Sequence, residues 1–112
     1  MGLFSFSKVE SLLNRKDFVN LNRLGKRYNA AHFSIIFMEN GLGRRRLGIT
    51  ASKRTGNAVQ RNRLKRHIRE FYRLHKDLFP PGCDVVIAAK EGAGDLDSRE
   101  IREELGDLVK NK

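Results

Sequence analysis

The chain has 112 residues, of which 39% are hydrophobic, enough for one domain with one modest core. Its formal net charge of +10 favours a polyanionic partner, either nucleic acid or an anionic membrane surface. No apolar run approaches the length of a membrane span or a signal peptide, and a single cysteine, Cys83, excludes an intrachain disulfide. We therefore expect one domain over residues 1–112, with flexible ends at 1–9 and 110–112, in the cytoplasm.

The first half of the chain predicts a helix followed by two strands. The helix covers "RKDFVNLNRL", with Asn14 and Asp17 as capping candidates and Gly25 as its stop. The strands are "HFSIIFM", residues 32–38, and "RLGITAS", residues 46–52, which are rich in β-branched and apolar residues. Because "ENGLG" between them is a turn signal, we expect the two strands to form an antiparallel hairpin.

A strongly basic helix follows Gly56. Asn57 can cap it, and Gln60 can reach back to complete the cap. At 100° per residue, one side carries the apolar Leu64, Ile68 and Phe71, with His75. The opposite side forms a cationic ridge of Asn62, Arg66, Arg69 and Arg73. This helix therefore has one face for a core and one for a polyanion.

The excess of positive over negative charge is confined to one window of the sequence. Residues 44–73 hold 11 basic residues and 1 acidic residue, whereas the rest of the chain holds 12 of each. Like charges on neighbouring turns repel one another, so this concentration favours a functional surface over a merely solvated face.

The last third of the chain predicts a buried strand and a final helix. The continuous apolar run "DVVIAA", residues 84–89, is typical of a strand in the middle of a sheet. Asp97 and Glu100 can cap the helix, with Leu96 as a hydrophobic staple onto Ile101. The opposite face of this helix is acidic in sequence, which predicts a poor RNA contact.

Residues for catalysis by the protein itself are not recognisable. The histidines and Cys83 lack metal-ligand spacing, the glycines lack a P-loop pattern, and nothing in the sequence places a base beside Cys83. We expect Cys83 to be a buried small residue.

The stretch "SKRTGNAVQRNRLKRHIREFYR", residues 52–73, resembles the signature of the bacterial ribonuclease P protein subunit. The centre of the match is Arg61-Asn62-Arg63, and the similarity extends less sharply over residues 10–110. The resemblance implies a single-domain α+β sandwich ordered αβββαβα, in which the basic helix makes a left-handed βαβ crossover. Such a crossover runs against the usual right-handed rule, so it rests on the resemblance alone.

The resemblance also implies a division of labour. A catalytic RNA subunit with Mg²⁺ removes the 5′ leader of precursor tRNA, while the protein assists, with no further protein partner required. The residues implied to bind the RNA subunit are Asn57, Arg61, Asn62, Arg63, Lys65, Arg66, Arg69 and Arg73. Those implied to bind the leader are Phe18, Phe33, Ile35, Phe37, Lys53 and Arg54. Asn22 and Ile36 depart from the family pattern, because an aromatic residue is common at the first position and also occurs at the second.

Two other functions remain open on the sequence. A non-catalytic RNA- or ribosome-binding module could use the same ridge, and co-purification of ribosomal subunits instead of a catalytic RNA would indicate it. A DNA-binding protein could place the basic helix in a major groove, and preference for duplex DNA over folded RNA would indicate that.

Overall fold

The computed structural model describes residues 23–79 and 81–110. The elements are β1 Lys26–Asn29, β2 Phe33–Glu39, β3 Arg46–Ala51, α1 Ala58–Leu74, β4 Cys83–Ala89 and α2 Ser98–Lys110. This order, βββαβα, is the predicted order after the first helix. Of that first predicted helix, only the last turn, residues 23 and 24, lies within the described residues, and Gly25 follows it as expected.

The four strands form one mixed sheet in the order β1-β2-β4-β3. Strand β4 pairs antiparallel with β2 and parallel with β3, which confirms its predicted place in the middle of the sheet. The parallel pairing of β3 and β4 through α1 also agrees with the predicted crossover, whose left hand stays a prediction.

The prediction that the strands at residues 32–38 and 46–52 form a hairpin is wrong. These strands are β2 and β3, and they lie on opposite sides of β4. The connection between them crosses the beginning of β4 and is bonded to it. The Asn40 backbone N–H donates to Gly82 O at 2.9 Å, and its side-chain Nδ2 donates to Asp84 Oδ1 at 2.8 Å. These contacts with the beginning of β4 hold the connection in place of the tight turn that a hairpin would have.

The main core lies between one face of the sheet and the two helices. Side chains alternate along a strand, so Phe33, Ile35 and Phe37 of β2 all point to this face. The helices contribute the buried Leu64, Ile68, Phe71, Tyr72, Ile101, Leu105, Leu108 and Val109. The opposite face carries a smaller cluster of Ile36 and Val86 with Met38 packed against it.

Both helices begin as the sequence predicts. Asn57 Oδ1 accepts from Gln60 N at 2.9 Å, and Gln60 Oε1 accepts from Asn57 N at 2.9 Å. Asp97 and Glu100 make the same reciprocal pair at the start of α2, at 2.8 and 3.0 Å. Each pair satisfies backbone donors that have no partner inside the helix, which fixes where α1 and α2 begin.

Candidate nucleic-acid interface

The cationic ridge of α1, formed by Asn62, Arg66, Arg69 and Arg73, lies on the solvent side of the helix. Three of its four residues are exposed and Arg69 is half-buried, while Leu64 and Ile68 on the other side are fully buried. The division into a core face and a ridge is therefore confirmed. Residues spaced by one or two turns place their charges along one line, which suits the phosphates of a nucleic-acid backbone.

The guanidinium groups of the ridge differ in how they are held. Arg73 forms an ion pair with Glu70 one turn earlier on the same helix. Arg66 makes no hydrogen bond or ion pair with the described part of the chain, and its side chain is exposed. Arg66 is therefore the ridge cation best placed to exchange water for a phosphate.

Arg63, which the sequence places among the RNA-binding residues, is half-buried and bonded within the fold. Its Nη2 donates to Gly94 O at 2.7 Å and to Leu96 O at 2.9 Å, and its Nε is buried without a partner among the described residues. The side chain thus ties α1 to the turn that precedes α2. This geometry makes Arg63 a structural clamp, and its contact with the RNA subunit stays a prediction.

The other predicted RNA-binding residues flank the ridge. Arg61 and Lys65 are half-buried on the side of α1 nearer the core, and Arg61 Nε is buried without a partner in the part of the chain that the structure describes. Asn57 is exposed, but its side-chain oxygen is used in the helix cap. The exposed contact surface is thus narrower than the sequence motif.

The loop before α1 presents two further cations. Lys53 and Arg54 are exposed on a short 3₁₀ turn, Lys53–Thr55, capped by Ser52. Thr55 is 2% exposed, and its hydroxyl donates to Ser52 O at 2.7 Å. A Cβ added to Gly94 would lie 2.3 Å from Thr55 O, so the turn of residues 93–95 packs directly against this loop.

The aromatic and apolar residues predicted to line a leader cleft lie mostly in the core. Phe33 and Ile35 are 0% exposed beneath the helices, so neither side chain can contact a nucleic-acid strand, and we correct both assignments. Phe37 is 7% exposed and borders a pocket of about 460 Å³ with Tyr28 and Met38. Phe18, like Asn22, lies outside the described residues.

A buried ion pair that the sequence analysis missed joins the two parallel strands. Arg46 Nε and Nη2 donate to the two oxygens of Asp84 at 2.8 and 2.7 Å, and Asp84 is 2% exposed. Asn40 donates to the same carboxylate. No sequence spacing indicates this contact, because the residues are 38 positions apart and meet only through the parallel register. One charge of the basic window is thus neutralised inside the fold.

His67 lies on the side of α1 next to α2, and its pKa is affected by the charges around it. Burial lowers the pKa of its imidazole from 6.5, and the positive charges of Arg66, Arg63 and Arg102 lower it further, while Glu70 opposes them. A cationic surface disfavours a further positive charge and favours a bound anion. The pKa direction therefore agrees with the charge pattern of the helix surface.

The described residues show neither a metal-binding cluster nor a membrane-spanning helix. Within residues 23–79 and 81–110, His, Cys, Asp and Glu side chains form no group of three or more that could hold a metal ion. No helix in the same ranges has the length and apolar character needed to cross a membrane.

Comparison with known proteins identifies the family. A family model described as Ribonuclease P matches residues 6–112. The ribonuclease P protein component of Desulforapulum autotrophicum is 44% identical over 98% of this chain and 94% of its own length. That of Syntrophus aciditrophicus is 41% identical over 97% of this chain and 92% of its own length.

Solved structures give the same result. The Staphylococcus aureus RNase P protein superposes with a TM-score of 0.85 at 30% identity, covering 93% of this chain and 95% of that one. The Thermotoga maritima RNase P protein gives 0.81 at 34% identity, covering 92% and 97%. A basic α+β domain with an exposed cationic helix is thus the class of protein that the fold and the surface define. Within that class, the chain belongs to the bacterial ribonuclease P protein family.

Proposed function

We propose that this chain is the protein subunit of a ribonuclease P holoenzyme and that it binds the catalytic RNA subunit through the ridge of α1. The observation that carries the proposal is the exposed Arg66, set in a line of ridge residues on a helix whose opposite face is fixed in the core. Membership of the family supports the choice of partner. Contacts of this kind neutralise phosphates and position the RNA without reading its sequence.

In this proposal the chemistry belongs to the RNA subunit. Hydrolysis at the 5′ end of the mature tRNA would use Mg²⁺ held by the RNA and the substrate, since phosphate oxygens and water are common Mg²⁺ ligands. The protein would supply cationic charge and orientation, and so reduce the concentration of Mg²⁺ that the RNA needs.

The 5′ leader of precursor tRNA would contact the loop before α1. Among the members of the predicted leader set that the structure describes, Lys53 and Arg54 are the exposed ones. Both are held on a turn that packs against residues 93–95, so their charges are presented from a fixed position. A single-stranded leader is bound largely through its backbone charge, and cations on a fixed turn provide that without sequence preference.

The test is equilibrium binding of the cognate RNA subunit by wild-type protein, by Arg66→Gln and by the control Lys26→Gln, which removes an exposed cation from β1. We expect Arg66→Gln to weaken binding. The loss of one phosphate contact should also reduce the steepness of log affinity against log salt by about 1. The control should leave both unchanged. Equal binding by all three proteins would contradict the proposal. Tighter binding to duplex DNA, or to ribosomal subunits, would favour the alternative functions.

A further inference from the structure

A groove of about 540 Å³ runs between α1 and α2, away from the ridge. One wall comes from the end of α1 and the turn that follows it, with Phe71, His75 and Leu78. The other wall comes from one side of α2, and its residues follow helical spacing: Arg99, Arg102, Glu103, Gly106 and Lys110. The groove therefore combines an aromatic wall with a mainly cationic one.

The imidazole of His75 on the aromatic wall is held by two contacts. His75 stacks on the buried Phe71 with ring centroids 4.5 Å apart and an interplanar angle of 25°. His75 Nδ1 lies 2.9 Å from Phe71 O, which holds the imidazole in place. A fixed flat ring beside a groove can take a ribose or an unstacked base of RNA.

Two cations of the cationic wall have no ion-pair partner among the described residues. Arg99 is paired with Glu103 at 3.4 Å, whereas Arg102 and Lys110 make no ion pair or hydrogen bond with residues 23–79 or 81–110. Two acidic residues of α2 are used elsewhere, because Glu100 completes the helix cap and Glu104 binds His32. The expectation that α2 presents an acidic face is therefore wrong on the side that lines this groove.

The groove and the ridge flank the same helix. His67 lies one turn before Phe71 on α1, and it is influenced both by Arg66 of the ridge and by Arg102 of the groove. An α-helix with its side chains is only about 10–12 Å across. A strand of RNA that crosses α1 from the ridge would thus arrive at the groove within a few nucleotides.

We propose that this groove is a second binding site for the sugar–phosphate backbone of the RNA subunit, with Arg102 and Lys110 contacting phosphates and the half-buried His75, held on Phe71, contacting a ribose or base. The inference rests on the proposed function. It extends the RNA interface from α1 onto α2, and it identifies the RNA subunit, not precursor tRNA, as the occupant because the groove has a mainly cationic wall and flanks the same helix as the ridge.

Gly106 provides a sharp test, because a Cβ at this position would meet nothing within 4 Å and would point into open space. Any ordinary residue is also more favourable than glycine inside a helix, so substitution here should not unfold the protein. Gly106→Glu places a carboxylate in the groove, and Gly106→Gln is the neutral variant of nearly equal shape. At moderate salt, we expect the Glu variant to bind the RNA subunit about tenfold more weakly than the Gln variant. The ratio should shrink at high salt.

A second acidic variant, Ala31→Glu, controls for the change in net charge, because Ala31 is exposed on the loop between β1 and β2. It should bind as wild type does. Equal affinity of the two Gly106 variants would overturn the proposal for the groove, and so would an Ala31→Glu defect as large as that of Gly106→Glu. Arg66→Gln in the same assay separates the two proposals. If it weakens binding while the Gly106 pair does not differ, only the groove is refuted, whereas no effect of Arg66→Gln refutes the ridge.

Crosslinking identifies the occupant. A photoreactive group attached to Gly106→Cys in the assembled holoenzyme with precursor tRNA should mark nucleotides of the RNA subunit. The native Cys83 is 6% exposed, so the introduced thiol is the accessible one among the described cysteines. Crosslinks confined to precursor tRNA, or no crosslinks to RNA, would overturn the assignment.

Discussion

Arg63 should contribute to the stability of the fold, whereas the neighbouring Arg66 should contribute to RNA binding. The contrast is sharp because both residues lie in the basic motif, yet their surroundings differ. Arg63 Nη2 donates to two backbone carbonyls, Gly94 O and Leu96 O, whereas Arg66 is exposed. Substitution by Met keeps most of the aliphatic side chain and removes the charge and the donors, so Arg63→Met and Arg66→Met form a matched pair.

The size of the effect follows from the contacts. A hydrogen bond from a charged group contributes about 1.5–3 kcal/mol, but here one nitrogen serves both carbonyls and the side chain is half-buried. We therefore expect a total loss of about 1.5–3 kcal/mol for Arg63→Met, on the order of 10 °C in melting temperature for a domain of this size. Arg66→Met should stay within about 0.5 kcal/mol of wild type, as surface substitutions usually do.

Two measurements check this prediction. Urea unfolding followed by circular dichroism gives the free energy of unfolding, and binding of the RNA subunit at several salt concentrations gives the salt slope. Arg63→Met should lower stability and, at a temperature where it is folded, keep the wild-type salt slope. Arg66→Met should do the reverse. If Arg63→Met were as stable as wild type but lost as much RNA affinity as Arg66→Met, the clamp assignment would be refuted.

Four further substitutions test three separate parts of the structure by urea unfolding. Gly94→Ala should cost about 1–3 kcal/mol, because its Cβ would meet a backbone oxygen at 2.3 Å, whereas Gly106→Ala should not destabilise; equal stabilities would contradict the packing. The pKa of His67 is lower in the folded protein than in the unfolded chain, so as pH falls below about 6.5 the unfolded chain takes up a proton more readily than the folded protein. The wild-type protein should therefore lose stability over this pH range, and His67→Gln should lose less stability. Identical pH profiles of the two proteins would refute this. Arg46→Met should cost about 3–5 kcal/mol by removing the cationic partner of the buried Asp84, and a near-neutral result would contradict that ion pair.

Local patterns in the sequence predict the local features of the fold. The two helix caps, the core face of α1 and the central position of β4 follow from residues close together in the chain, and the structure confirms each of them. The basic motif also leads to the correct family, because its residues are contiguous.

Pairing partners and strand faces depend on distant residues, and there the sequence was misleading. The turn "ENGLG" suggested a hairpin, but the preferred neighbour of both strands, β4, comes more than thirty residues later. Strand β2 has apolar residues at both alternating sets of positions, so its pattern could not show that Phe33 and Ile35 face the helices while Ile36 faces away. In the same way, the carbonyls that hold Arg63 come from a turn that only the folded chain brings near α1.

The most direct test of the proposed function is reconstitution of precursor tRNA cleavage at low Mg²⁺. The cognate RNA subunit, the protein, and the two together are each incubated with precursor tRNA, and the 5′ ends of the products are mapped. We predict cleavage at the mature 5′ end by the mixture, little by the RNA alone at that Mg²⁺ concentration, and none by the protein alone. Cleavage at that position by RNA-free protein, or a mixture no more active than the RNA alone, would contradict the account.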